Sequence, residues 1–227
     1  MDAQFRERAV YMPAEDALVI ADLHVGRDES SAVELPLGER TDLTDRLADL
    51  LSAFEPAEVV FAGDLLHAFD RVPEGAAETL AALRGTIRDA GAEPIAVRGN
   101  HDPMAETLDL PVRESYRLGD TLIHHGHEKP SAAANRYVVG HDHPAIEIEG
   151  RRRPCLLYGP DLYRDADVLM VPAFNRLAPG TTVNGMRARD FQSPLVTDAD
   201  ALRPIVWDAE AGESLSFPPL GEFRRLL

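Results

Sequence analysis

The sequence predicts an α/β fold with two β-sheets. In the first half of the chain, three short apolar runs typical of buried strands alternate with two stretches that have the apolar spacing of amphipathic helices. This order predicts parallel strands joined by right-handed crossovers. After Pro111 the apolar runs are shorter and separated by close turns, which indicates a second, largely antiparallel sheet. A chain of 227 residues suits one large domain, so we expect a single domain over residues 1–227, with a core over 17–185 and a C-terminal extension over 186–227.

The individual elements follow from local patterns. Helices are predicted over residues 39–54 and 74–89, where apolar residues recur three and four positions apart. The predicted strands cover residues 17–21, 59–62, 94–97, 121–123, 137–139, 145–149, 168–171 and 204–207. Arg151-Arg152-Arg153 is interpreted as the solvated end of a hairpin, with a phosphate-binding patch as the alternative. The Pro- and Gly-rich residues 172–185 are predicted to form a long loop, and such loops are often functional.

The composition is strongly acidic. Asp and Glu total 39 against 23 Lys and Arg, the formal net charge is −16, and Lys129 is the only lysine. Such a surface normally repels nucleic acid, but this composition resembles that of proteins from salt-accumulating archaea, and in molar salt the Debye length falls to about 3 Å. The charge therefore indicates a halophilic, archaeal habitat rather than a substrate.

Several classes of protein are disfavoured by the sequence. The single Cys155 excludes an internal disulfide and a multi-cysteine metal site. No stretch reaches the about 18 consecutive apolar residues of a membrane span, and the N-terminal residues lack the apolar core of a secretory signal. We expect a cytoplasmic protein without a membrane partner.

Polar clusters follow five of the predicted strands, and the histidines of the chain are concentrated in them. Glycine next to the polar residues allows a tight turn, and open α/β sheets bind ligands at the carboxyl ends of their strands. The clusters are Asp22-Leu23-His24, Gly63-Asp64-Leu65-Leu66-His67, Arg98-Gly99-Asn100-His101-Asp102, His124-His125-Gly126-His127 and Gly140-His141-Asp142-His143.

These clusters supply carboxylate, imidazole and amide ligands without a thiolate, a set that suits Mn, Fe or Zn more than a structural zinc site or a calcium site. Seven residues are candidate ligands, too many for one ion but enough for two that share a carboxylate. A pair of ions roughly 3.5 to 4 Å apart is used to hydrolyse phosphate esters. The candidate ligands are Asp22, His24, Asp64, Asn100, His125, His141 and His143.

In this order and over residues 22–143, the five clusters resemble the five motifs of the calcineurin-like metallophosphoesterases. The sequences Asp22-Leu23-His24-Val25-Gly26 and Gly63-Asp64-Leu65-Leu66-His67 are most similar to the archaeal SbcD-related phosphoesterases. The resemblance implies a four-layer α-β-β-α sandwich of two mixed sheets, with a two-metal site at the strand ends between them. It also implies two divalent ions, with Mn as the expected metal and Fe or Zn as alternatives.

The resemblance further implies a role for each ligand. One ion is held by Asp22, His24 and His143, the other by Asn100, His125 and His141, and Asp64 bridges both. The family's ligand in the fourth motif is the histidine directly before the glycine, which is His125 here.

The remaining polar residues of the motifs are expected to act around the ions. His101 is the expected general acid that protonates the leaving oxygen, and Asp102 is expected to orient its ring. His127 is expected just outside the ligands, and His67 either there or at the entry of the following helix, whereas His124 is expected to pack inward.

The sequence leaves the substrate open between two phosphate-ester classes. The subfamily resemblance favours a phosphodiesterase or nuclease acting on DNA or RNA, with Arg27, Arg98 and Arg176 as candidate phosphate-binding residues. The compact length favours an enzyme for nucleotides, cyclic nucleotides or phosphomonoesters. A non-catalytic scaffold is a third reading, disfavoured by the intact ligand set. The oligomeric state stays open, as does the role of residues 191–227 as an edge strand, a lid or a partner surface.

Overall fold

The computed structural model describes residues 2–28, 38–105 and 111–225. Two helices of three or more turns lie in these ranges, α1 at Glu39–Phe54 and α2 at Ala76–Asp89. Both predicted helices are confirmed, the first with the same bounds. A third, short helix, α3, covers Leu220–Phe223, and 3-10 helices cover Ala188–Asp190 and Ala199–Ala201. None of the helices in the described ranges has the length and apolar character needed to span a bilayer.

The first sheet contains the predicted parallel strands. Its six strands lie in the order β1-β2-β3-β4-β5-β6, and they are β1 (Gln4–Arg6), β2 (Ala9–Met12), β3 (Ala17–Ile20), β4 (Glu58–Ala62), β5 (Glu93–Val97) and β6 (Val112–Arg113). From β3 to β6 the neighbours are parallel, as the crossovers require, and β1 and β2 add an antiparallel hairpin that the sequence analysis did not predict.

The second sheet is mixed rather than largely antiparallel. Its strands are β7 (Tyr116–Leu118), β8 (Thr121–Ile123), β9 (Arg136–Val139), β10 (Pro144–Ile148), β11 (Arg151–Tyr163), β12 (Ala166–Met170), β13 (Thr181–Thr182), β14 (Arg203–Asp208) and β15 (Glu213–Ser216). β9 lies parallel to both β8 and β12. The expectation of a close antiparallel turn fails between β8 and β9, because the irregular residues 124–135 bring the chain back to the end of the sheet at which β8 began. The result is the pair of mixed sheets that the resemblance implied.

The central strands are buried on both faces, and alternate side chains enter different cores. Val19 and Val60 of the first sheet meet Val138 and Leu169 of the second in a core between the sheets. A second core lies between the first sheet and α1 and α2. The outer face of the second sheet is covered by α3, the 3-10 helices and loops instead of long helices, and these form the fourth layer in the described part of the chain.

The C-terminal extension is joined to the second sheet. β14 pairs with β11 and β15 pairs with β14, so this segment supplies an edge strand. Phe191, Leu195 and Leu220 are buried in the outer core. Residues 226 and 227 of the extension lie outside the described residues. At the other end of β11, Arg151, Arg152 and Arg153 are exposed beside the β10–β11 turn, as expected of a hairpin end.

The loops that follow the strands approach each other at distances only glycine permits. A Cβ added at Gly99, after β5, would lie 2.1 Å from the backbone nitrogen of Asp64, after β4. Gly63 has a φ of +87°, and a Cβ there would lie 2.5 Å from Nδ1 of His125. Gly99 is thus required because the backbone of Asp64 is too close for a side chain. Gly63 is required both for its positive φ angle and because His125 is too close.

We expect Gly99→Ala to destabilise the protein by about 1–3 kcal/mol, since the added methyl group overpacks a site where backbone stands in its way. Urea denaturation measures the free energy of unfolding. Gly85→Ala within α2 is the matched control, because its added Cβ meets no neighbouring atom within 4 Å, and we expect it to stabilise by about 0.5–1 kcal/mol. Equal stability of Gly99→Ala and the wild type would contradict the close approach.

Candidate metal centre

The structure brings all seven predicted ligands together where β3, β4, β5, β8 and β9 end. The ligand atoms of Asp22, His24 and His143 all lie within 4.8 Å of one another, and the same holds for Asp64, His125 and His141. The Oδ1 atom of Asn100 lies 2.9 Å from Nε2 of His125 and so joins the second group. The ligand atoms of His24, Asp64 and His101 form a third group within the same distance.

Five of these residues adopt the left-handed backbone conformation, which is uncommon for residues other than glycine. Such residues cluster at functional sites, because the strain persists only where the surrounding structure holds it in place. The φ angles are 54° for Asp22, 43° for His24, 50° for Asp64, 74° for His141 and 46° for His143.

Two buried carboxylates hold the loops together. Asp22 accepts the backbone N–H of His141 at 3.0 Å, and Asp64 accepts that of His101 at 2.9 Å. Asp64 also stands between the two ligand groups, with Oδ1 3.3 Å from Nε2 of His125 and Oδ2 3.8 Å from Nε2 of His24. This is the position expected of a bridging ligand.

The imidazoles face each other in pairs. The Nε2 atoms of His24 and His143 are 3.1 Å apart, and Nδ1 of His141 is 3.2 Å from Nε2 of His125. Burial lowers the pKa of His24 and His141 to about 4, so both are neutral at pH 7 and offer lone pairs. Buried, converging nitrogens and carboxylate oxygens are a donor set that fits divalent ions such as Mn, Fe or Zn.

The pKa values of His125 and His143, which face His141 and His24, are raised instead. Burial by itself would lower the pKa of His125, but its hydrogen bond to Asp64 and the charges of Asp22 and Asp64 outweigh burial and raise the pKa to about 9. Burial by itself would also lower the pKa of His143, but the charge of Asp22 and its hydrogen bond to His143 outweigh burial and raise the pKa. The Nδ1 of His125 donates to the carbonyl oxygen of Ala62 at 3.1 Å, which directs Nε2 into the site.

His101 lies beside the ligands with its ring fixed from the backbone. Its Nδ1 is 2.9 Å from the carbonyl oxygen of His67, and its Nε2 is 3.9 Å from Oδ2 of Asp64. Its side chain is 20% exposed. Nε2 is therefore the atom of His101 that faces the ligand cluster.

The expectation that Asp102 orients this ring was wrong. Asp102 is fully buried, and its two oxygens accept the backbone N–H groups of Leu66 at 3.1 Å and Gly99 at 2.8 Å. It therefore joins the loops after β4 and β5, and the carbonyl oxygen of His67 orients the His101 ring instead.

The three other histidines surround the ligands. The His67 ring packs edge-on against His24 at 5.7 Å, and the His127 ring is 5.3 Å from His125. His124 is buried, and its Nδ1 accepts the N–H of Gly126 at 3.0 Å. It thus points inward.

The three candidate phosphate-binding arginines each bind a different part of the protein. Arg176 is ion-paired with Asp42 at 2.9 Å and Glu7 at 3.2 Å, so the protein's own carboxylates bind the guanidinium expected to meet substrate. Arg98 pairs with Glu114 at 3.1 Å. Arg27 donates through Nε to the carbonyl oxygen of Leu177 at 3.1 Å, and its charge adds to burial in lowering the pKa of His67.

Two buried residues that support the His24 loop were missed by the sequence analysis. Asn175 donates through Nδ2 to the carbonyl oxygen of Leu23 at 2.8 Å and to Glu39 at 2.7 Å. Glu39, at the start of α1, accepts the N–H of Gly26 at 2.7 Å. The long loop over residues 172–185 was the one sequence signal that pointed towards Asn175.

Asp142 was also missed, because it lies between two predicted ligands. It is buried, and it accepts the N–H groups of Gln192 at 2.7 Å and Ser193 at 3.0 Å. These bonds attach the C-terminal extension to the loop that carries His141 and His143.

Two solved structures are similar to this one over most of their length. The structure is similar to that of nuclease MPE from Pseudomonas putida, with a TM-score of 0.63, 26% sequence identity and 92% of each chain covered. It also matches the phosphoesterase YfcE from E. coli, with a TM-score of 0.46, 16% identity, and coverage of 89% of this chain and 98% of that one. No match was found among curated proteins.

The sequence model of the calcineurin-like phosphoesterase family matches residues 17–175. This range takes in more than half of the chain and all seven ligands. The chain therefore belongs to the calcineurin-like phosphoesterase family and is a metal-dependent phosphoesterase.

Proposed function

We propose that this protein is a phosphodiesterase that cleaves nucleic acid. The observation that carries the proposal is the likeness to the Pseudomonas putida nuclease, which covers 92% of both chains. The subfamily resemblance to the archaeal SbcD-related phosphoesterases supports the same substrate class. The likeness on which the proposal rests therefore extends beyond the motif residues.

The proposed ion sites follow the two groups of ligand atoms. Asp22, His24 and His143 hold one ion; Asn100, His125 and His141 hold the other; Asp64 contributes to both. We propose Mn as the metal, with Fe and Zn suited to the same donors. When bound, two such ions lower the pKa of a water molecule and offset the charge of the phosphoryl oxygens.

His101 is the proposed general acid. Its Nδ1–H donates to the carbonyl oxygen of His67, which fixes the ring and leaves Nε2 facing the ligands. A proton on Nε2 is then placed for transfer to the leaving oxygen as the P–O bond breaks. Arg27, whose charge acts on His67, is proposed to bind a phosphate oxygen.

A small phosphodiester is the second candidate substrate. Nucleic-acid binding relies on clustered Lys and Arg, yet Arg98 and Arg176 are paired with carboxylates of the protein and the net charge is −16. These pairings favour a substrate with few phosphates.

Hydrolysis assays on four substrates separate the two candidates. In molar KCl with added Mn, we expect cleavage of labelled DNA as well as bis(p-nitrophenyl) phosphate, and little activity on p-nitrophenyl phosphate. Asp64→Asn is expected to abolish cleavage, because it removes the charge shared by both ion sites. Asp45→Asn, the same change at an exposed position of α1, should retain wild-type rates. Cleavage of the small diester without cleavage of single- or double-stranded DNA would favour the second candidate.

The role of His101 predicts a dependence on the leaving group. We expect His101→Ala to bind both ions and to lose about 10²–10⁴-fold in turnover on a diester with an alkyl leaving group. The loss should be much smaller for p-nitrophenol, which leaves without a proton. Metal analysis of the purified variant and rates across a series of leaving groups test this. A wild-type rate on the alkyl ester would disprove the role.

Metal binding at pH 7 is expected to release protons from His125 and His143, since both carry raised pKa values in the metal-free protein. The apparent affinity for Mn should therefore rise between pH 7 and pH 9, through the His125 pKa of about 9. Calorimetry in two buffers with different ionisation enthalpies counts the released protons. Identical binding enthalpies in both buffers would contradict the prediction.

A further inference from the structure

One exposed aromatic ring lies directly against the proposed general acid. In the described ranges, the large hydrophobic side chains that are exposed are Phe69, at 51%, and Leu215, at 38%. The centroid of the Phe69 ring is 3.7 Å from that of His101, and the two ring planes are inclined by 30°. Phe69 therefore packs on His101 and still presents much of its surface to solvent.

The position of Phe69 relates it to the leaving group. It lies two residues after His67, whose carbonyl oxygen holds Nδ1 of His101. The same short loop thus orients the His101 ring and places an aromatic ring on it. Phe69 is therefore a direct neighbour of the side chain that would protonate the leaving oxygen.

An exposed phenylalanine in this place has a chemical use. Aromatic side chains stack with nucleobases, and each such contact contributes about 1–3 kcal/mol with little dependence on base identity. A nucleoside that leaves with the protonated oxygen carries its base one sugar away from that oxygen. Phe69, whose ring centroid is 3.7 Å from that of His101, offers an exposed aromatic ring beside the group that would donate the proton.

We propose that Phe69 is a specificity-determining residue, whose open face stacks with the base of the leaving nucleoside. The inference rests on the proposed function and narrows it: one face of the base must be open to Phe69, which excludes a base inside a duplex, where both faces are already stacked. The favoured substrates are therefore single-stranded nucleic acids and short oligonucleotides.

A dinucleotide gives the sharpest test because it has a single phosphodiester bond. Thymidylyl-thymidine is compared with two analogues, each lacking one base, and product analysis shows which nucleoside leaves without the phosphate. We expect kcat/KM to fall about tenfold when that nucleoside lacks its base. Phe69→Ala should show the same loss on the intact dinucleotide and no further loss on the abasic analogue.

Further variants separate stacking from support of the His101 ring. Phe69→Leu keeps an apolar cover on His101 and should behave as Phe69→Ala, whereas Phe69→Trp should retain the preference for the base. Leu215→Ala removes the other exposed apolar side chain, far along the sequence in β15, and should leave every rate unchanged.

Two results would overturn the inference, and they are distinguishable. If Phe69→Ala lowers the rates on intact and abasic dinucleotides equally, Phe69 only supports His101, and the nuclease proposal stands. If the wild type hydrolyses bis(p-nitrophenyl) phosphate but neither dinucleotides nor DNA, the proposed function fails together with the inference.

Discussion

The site depends on buried carboxylates that accept backbone N–H groups from neighbouring loops. Asp22 binds the loop after β9, Asp64 the loop after β5, and Asp102 the loops after β4 and β5. A buried carboxylate is costly unless its oxygens are hydrogen-bonded, and such charge-assisted bonds are among the stronger ones in proteins. The loops therefore stabilise the carboxylates and the carboxylates fix the loops, which explains how strained ligand backbones persist.

The same arrangement connects distant parts of the chain to the site. Glu39 and Asn175 attach α1 and the loop after β12 to the backbone around His24, and Asp142 attaches the C-terminal extension to the loop after β9. Each bond is made with backbone, so it fixes a loop's course independently of the side chains that the loop carries. The second sheet and its outer layer thereby help to hold ligands that face the first sheet.

One physical cause explains both which features the sequence predicted and which features it missed. The approach of Asp22, Asp64 and Asn100 was predictable because the parallel strands of one sheet end at the same edge. The histidines that follow strands of the second sheet were placed with them by the family's motif pattern, and α1 and α2 were predictable from apolar spacing. The roles of Asn175 and Phe69 could not be predicted, because each depends on a contact with another segment of the chain. No periodic pattern in the sequence indicates which segments meet. Asp102 shows the limit locally: it neighbours His101 in sequence, yet its carboxylate turns towards Leu66 and away from the ring.

The acidic surface and the proposed nuclease function are compatible if affinity does not depend on Lys and Arg. Binding by phosphate neutralisation releases counterions and weakens steeply as salt rises. Under the proposed function, coordination of a phosphate by bound ions and stacking of a base on Phe69 would involve few mobile counterions, so both would persist in molar salt. In that setting the arginines can serve the fold, as Arg176 does with Glu7 and Asp42. The ions and one aromatic ring would then carry substrate recognition.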